Sequence, residues 1–191
     1  MADPRRVAVL VGSLRKESFN RKMAHALAAL AKPGLQLEIV EIRDLPLYDQ
    51  DLDPDSPPEP WVRFRQAVAK ADAVLFVTPE YNRSVPGALK NAIDVGSRPY
   101  GKSVFSRKPA AVISVSPGAV GGFGANHHLR QSLVFLDMPV LQQPEAYISG
   151  ADKLFDADGT VGNPGTREFL GKFVQAFERW IGLNAQPPAP R

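Results

Sequence analysis

Three short segments hold most of the residues in this chain whose types and spacing could do chemistry. The first, GSLRKESFN (residues 12–20), sets Ser13, Arg15, Ser18 and Asn20 just ahead of a helical pattern. Small hydroxyls and free backbone N–H groups at a helix N-terminus make an anion site, and a guanidinium adds charge-assisted hydrogen bonds. Ser18 or Asn20 equally suits a helix cap, and one residue can do both. Two better-known phosphate loops are missing: there is no G-x-x-x-x-G-K-[ST], and no G-x-G-x-x-G after the first apolar run. That argues against an NTPase and against a standard dinucleotide fold.

The second segment, PEYNRSVPG (residues 79–87), opens with a proline directly after a buried apolar run. Its stiff backbone could present N–H and C=O groups to a flat heterocycle, with Tyr81 offering apolar contact. An ordinary turn leading into a helix reads the same residues as well. Glu80 is the tempting general base, but no partner acid or histidine stands near it in sequence, so no catalytic side chain is assigned. The third segment, SPGAVGGFGA (residues 116–125), carries Gly118, Gly121, Gly122 and Gly124, which permit close backbone approach to a ligand. His127 and His128 follow on a helix, where adjacent side chains point different ways. A metal pair is therefore not expected, and no metal site is assigned.

The elements that must position these segments follow from the apolar pattern. Val7–Val11, Ala73–Thr78 and Ala110–Val115 are short continuous apolar runs, the mark of strands buried on both faces. Leu35–Ile42 alternates and reads as a strand nearer an edge. Pro139–Leu141, with Ala146–Ile148, supplies a fifth. Helices are predicted over about 18–31, 60–71, 84–96, 123–137 and 164–183. In the last, Phe169, Leu170, Phe173, Val174, Phe177, Trp180 and Ile181 form one stripe, read as core packing. The polar, proline-rich connection over 44–60 is long enough to expect a functional or mobile loop. Alternating strands and helices imply an α/β doubly wound parallel sheet. The expected organisation is one domain over 1–183 and a disordered tail over 184–191. Each chemical segment follows a different strand, so all three should converge at one end of the sheet, where ligands bind in such folds.

Composition narrows the possibilities. The 191 residues include 44% apolar and 23% charged side chains, as in a globular protein with a core. The absence of cysteine excludes disulfides, thiolate catalysis and cysteine-held zinc or iron–sulfur centres, and suits a cytoplasmic protein. The formal charge is +3, but its basic residues are scattered among 20 acidic ones, so no nucleic-acid partner is expected. Arg5 and Arg6 precede an apolar run that ends at Gly12, too short for a signal peptide, and no run is long enough for a membrane helix.

Taken together, GSLRKESFN, PEYNRSVPGALKNAID (79–94) and GGFGANHHLRQSLVFLDMPVLQQPEAY (121–147) resemble the NADPH-dependent FMN reductase family, its chromate and quinone reductase branch in particular. The resemblance covers about residues 6–180. It implies a flavodoxin-like fold of strand order 2-1-3-4-5, helices on both faces of the sheet, and non-covalent FMN. It further implies ping-pong, two-electron transfer from NADPH or NADH to quinones, flavins, azo or nitro compounds, or chromate. Carried over by position, Ser13, Arg15, Ser18 and Asn20 hold the FMN phosphate, with Phe19 in the same loop. Pro79, Glu80, Tyr81 and Asn82, with Arg83, border the isoalloxazine ring, and Ser116 and Gly118 its pyrimidine edge. The branch also implies a homodimer or homotetramer, with His127, Arg130 and Glu145 near the contact. Arg83 departs from the aromatic or small residue common in relatives. A different class of function, a flavodoxin-type carrier docking on partner proteins, fits less well, since such carriers are usually acidic. An FMN-binding regulatory module with little turnover is a third.

Overall fold

The computed structural model describes residues 3–31, 33–54 and 56–185. Its elements run β1 (Arg5–Val11), α1 (Phe19–Leu30), β2 (Leu35–Ile39), α2 (Glu59–Ala69), β3 (Ala73–Thr78), α3 (Gly87–Gly96), β4 (Ala110–Val115), α4 (Phe123–Phe135), β5 (Ala146–Ile148) and α5 (Pro164–Asn184). The strands form one parallel sheet in the order β2-β1-β3-β4-β5. This is the order expected for a flavodoxin-like fold.

Side-chain alternation along the strands sorts two cores. Val7, Val9 and Val11 of β1 face one way and pack with Leu75, Ile113 and the apolar faces of α1 and α5. Ala8 and Leu10 face the other way, with Phe76 and Val112, against α2, α3 and α4. Every residue of β3 and β4 is buried, because helices cover both sides. Edge strand β2 alternates between the covered Leu35, Leu37 and Ile39 and the exposed Gln36 and Glu38, as its sequence predicts, but stops at Ile39 rather than Ile42. In α5 the predicted stripe is core: Leu170, Phe173, Val174, Phe177 and Ile181 are buried.

Three expectations are modified. Pro139–Leu141 makes only a single parallel bridge, Val140 beside Ala110, and β5 is Ala146–Ile148 alone. Proline at the start of that segment has no N–H to offer a ladder. Helix α3 begins at Gly87 and not near Ser84, because Ser84 is taken by a hairpin with Tyr81. Asn184 closes α5 and so does not belong to the tail; residues 186–191 lie outside the described residues.

The proline-rich connection is anchored rather than loose. Asn91 of α3 accepts from the Tyr48 N–H (2.8 Å) and donates to the Pro46 carbonyl (3.0 Å), which also accepts from the Trp61 indole (3.0 Å). Asp53 is buried and takes a bidentate pair of bonds from Arg65, at 2.7 and 2.8 Å. The Arg65 guanidinium beside Asp53 holds its carboxyl below the usual carboxylate range.

Candidate active site

The carboxyl ends of β1, β3 and β4 bring the three chemical segments together, as their order along the chain requires. A hollow of about 220 Å³ opens there, lined by Ser13, Arg15, Phe19 and Asn20 from the first segment, Pro79, Glu80 and Tyr81 from the second, and Val115, Ser116 and Pro117 from the third. It lies where strand order reverses, between β1 and β3, the point at which doubly wound sheets bind ligands. A second hollow, about 350 Å³, lies against Gly12, Leu14 and the start of α3 and shares Arg15 and Tyr81 with the first.

The first segment bears out the capping reading. Ser18 is the N-cap of α1, its Oγ accepting from the Arg21 N–H at 3.2 Å, which leaves its own O–H free to donate. Ser18 does not line the hollow; Ser13 and Asn20 do, and both are buried. Asn20 donates to the Val115 carbonyl at 3.3 Å, while its Oδ1 is buried and has no partner among the described residues. Leaving such an atom unpaired costs about 1–3 kcal/mol. Arg15 is exposed, its guanidinium 5.9 Å from the Phe19 ring centre.

The second segment is a tight hairpin. Tyr81 and Ser84 exchange backbone hydrogen bonds of 3.1 and 3.0 Å. Asn82 and Arg83 form its two-residue loop at φ 51° and 64°, the left-handed region that such loops demand and that glycine or asparagine fills most readily. Neither lines the hollow. Glu80 reaches away from the turn: its Oε2 accepts from the Ala125 N–H at 2.9 Å. Ala125 is the third residue of α4, whose N-cap, Gly122, has no side chain to do this work. Glu80 thus caps α4 from another loop.

The glycines of the third segment answer chiefly to neighbouring protein rather than to a ligand. A Cβ on Gly121 would stand 2.7 Å from the Tyr147 carbonyl carbon, and Gly122 has φ 77° beside Ser114. A Cβ on Gly124 would stand 2.9 Å from Glu80 Oε2. Gly118 does not line the hollow; its N–H donates to Ser116 Oγ at 3.1 Å. The two histidines diverge. His127 Nε2 shares a 2.8 Å hydrogen bond with the Tyr147 hydroxyl, and His128 Nδ1 another of 2.8 Å with Ser84 Oγ. Burial and the adjacent Glu145 push the Tyr147 phenol up to about 12.

Val115 and Pro117 line the hollow without having been singled out in the sequence. Val115 carries no polar signal, and only its place as the last residue of β4 marks it.

A family model for NADPH-dependent FMN reductases matches residues 5–153. The chain belongs to this family. It is 66% identical over 178 residues to a quinone reductase of Pseudomonas putida, covering 93% of this chain and 95% of that one. A 2-hydroxy-1,4-benzoquinone reductase from a Burkholderia species is 47% identical, over 92% of this chain and 96% of its own. Among solved structures, the flavoenzyme NAD(P)H:(acceptor) oxidoreductase FerB of Paracoccus denitrificans superposes with a TM-score of 0.90 at 44% identity, covering 95% of this chain and all of that one. The protein is an oxidoreductase that uses FMN, with NAD(P)H as electron donor. Among the described residues, no helix is long and apolar enough to cross a membrane.

Proposed function

We propose that the three-loop hollow holds FMN and that the protein passes electrons from NAD(P)H to a quinone in two half-reactions sharing one binding space. The observation that carries this reading is the polar end of the hollow, where the buried Asn20 amide has an uncommitted oxygen beside Ser13 and Arg15. A ligand there must bring both a hydrogen-bond donor, such as a ribityl hydroxyl, and an anion. FMN combines them with a flat ring suited to the slot between Pro79–Tyr81 and Ser116–Pro117.

In this assignment Ser13 and Arg15 hold the phosphate, Asn20 borders it while its Oδ1 accepts from the adjoining ribityl chain, and the Ser18 O–H and Phe19 support that loop. Pro79, Glu80 and Tyr81 form one wall, the backbone of Asn82 and Arg83 fixes its turn, and Ser116 with Gly118 shapes the opposite edge. Bound FMN supplies hydride acceptance and electron release. The protein orients the reactants and excludes water, and no side chain is needed to move a proton before hydride transfer. Flavins, azo and nitro compounds and chromate are further candidate acceptors.

The quaternary assignment is a homodimer or homotetramer. Phe123, Val134 and Phe135 are large exposed apolar residues on α4, with His127 and Arg130 between them and Glu145 just before β5. The chain without cysteine is assigned to the cytoplasm, where nicotinamide donors are kept reduced, and its residues up to Asn184 to one domain.

The test is the visible spectrum of the purified protein after FMN addition, then bleaching by NADPH under nitrogen and recovery with 1,4-benzoquinone. Bound flavin that NADPH bleaches and the quinone restores is the expected result. Failure to retain FMN refutes the reading.

A further inference from the structure

Arg83 occupies a backbone position that suits it poorly. It follows Asn82 in a two-residue hairpin loop at φ 64°, a conformation that strains an ordinary L-residue and that glycine adopts freely. The hairpin is nonetheless held firmly. The Arg83 carbonyl oxygen would lie 3.1 Å from a Cβ on Gly124, Glu80 beside it is bonded to the Ala125 N–H, and Ser84 Oγ is bonded to His128. A firm seat with a strained occupant points to what the side chain does outside the fold.

That side chain is 83% exposed and makes no hydrogen bond among the described residues. Its nearest carboxylate oxygen, Glu80 Oε1, is 3.9 Å away, and Glu80 is already engaged by α4. Two residues earlier, on the same hairpin, Tyr81 lines both hollows. Arg83 therefore belongs to the hairpin that borders both hollows, fixed at its root, with its tip held, among the described residues, only by the loose ion pair to Glu80. Arg15, the other arginine at the site, lies on the inner loop and serves the cofactor phosphate in the reading above.

We propose that Arg83 is a specificity residue that recognises an anionic group on the molecule exchanging electrons at the flavin. A phosphate, carboxylate or sulfonate matches its forked donor geometry. The anion can come from the donor, as the 2′-phosphate that separates NADPH from NADH, or from an acidic acceptor. This assignment rests on the flavin site proposed above.

The variants are Arg83→Asn, which tolerates positive φ and removes the charge, and Arg83→Lys, which keeps the charge and loses the fork. Binding of NADP+ and NAD+ to the FMN-loaded protein is measured by calorimetry, without turnover. In parallel, kcat/KM is measured for 1,4-naphthoquinone and for 1,2-naphthoquinone-4-sulfonate at low and high salt. Arg83→Asn is expected to lower one anionic-to-neutral preference about tenfold, the scale of one charge-assisted hydrogen bond. Arg83→Lys should fall between it and the wild type. A shift confined to the nicotinamide pair assigns the anion to the donor, and one confined to the quinone pair assigns it to the acceptor. Both ratios staying within twofold, in protein that binds FMN and reduces quinones, overturns the assignment alone. Wild-type protein that takes up no FMN overturns it together with the underlying site.

Discussion

Glu80 offers the sharpest test of how this site divides labour between side chains and cofactor. Among the described residues it is the only carboxylate lining the hollow, and its placement invites a role as a general base. Yet its Oε2 is engaged 2.9 Å from the Ala125 N–H, on the third residue of a helix whose N-cap is glycine. A hydrogen bond to a charged group contributes about 1.5–3 kcal/mol, and the helix N-terminus adds about 0.3–1 kcal/mol for the negative charge. Glu80→Gln keeps an acceptor and loses the charge, so about 1 kcal/mol of stability should go. In a domain of this size that lowers Tm by roughly 2–4 °C. Glu80→Ala leaves the Ala125 N–H unpaired and should cost about twice as much.

Chemistry should respond differently. Positioned acid–base groups contribute about 100- to 10,000-fold, whereas a structural cap changes only the setting of the ring-bordering loop. Flavin bleaching by NADPH in Glu80→Gln should slow less than about tenfold, or 1.4 kcal/mol. The assay is stopped-flow absorbance with FMN occupancy matched, alongside a thermal melt of each variant. A loss beyond a hundredfold in Glu80→Gln, with Tm and FMN content unchanged, would refute the capping argument and make Glu80 a catalytic residue.

Other expectations follow from the same geometry. Arg15→Ala should weaken FMN binding by about 1.5–3 kcal/mol while barely changing the affinity for riboflavin, which lacks the phosphate; equal losses by fluorescence titration would remove Arg15 from the phosphate site. Light scattering should give a dimer or tetramer at micromolar concentration, loosened by Glu145→Arg; a fully flavinated, active monomer would contradict the α4 assignment. Arg65 depresses the Asp53 pKa, so the carboxylate stabilises the fold above the unfolded value near 3.9 and loses that contribution as pH falls through the lower folded value. Asp53→Asn should therefore melt well below wild type at pH 7, with the gap narrowing in melts below about pH 4; a gap independent of pH would mean that the charge does not matter.

Much of the architecture was legible because burial leaves a simple imprint. Ala73–Thr78 and Ala110–Val115 are apolar throughout since helices cover both faces, and both strands appear where the sequence puts them. The edge was harder. β2 is shorter than its alternation suggests, and the fifth strand lies at Ala146 rather than Pro139, since an edge needs only one partner and leaves little pattern. At the site, convergence of three loops followed from strand order alone. Which residues face the hollow did not: Ser18 turns to cap α1, Gly118 turns to Ser116, and Val115 enters by position without any polar signal. The glycines of the third segment have structural reasons the sequence does not show. Sequence marks where a Cβ is missing but not what occupies the space, and here it is chiefly Tyr147, Ser114 and Glu80.

That last point ties the site to the face assigned to subunit contact. Glu80 joins the hairpin beside the hollow to the first turn of α4, and Ser84 joins it again one turn later through His128. On its other side α4 meets β5 through His127 and Tyr147, with the half-exposed Phe123 ring tilted against that of His127, their centres 4.3 Å apart. The α4 backbone therefore cannot shift without moving either the hairpin or these bonds. If Phe123, Val134 and Phe135 are covered by a second copy, the same contact steadies the wall proposed for the flavin ring. Loosening the assembly with Glu145→Arg should then raise the FMN dissociation constant in step with the fraction of monomer. Unchanged affinity in a demonstrated monomer would show that the hairpin holds its shape through the chain's own bonds alone.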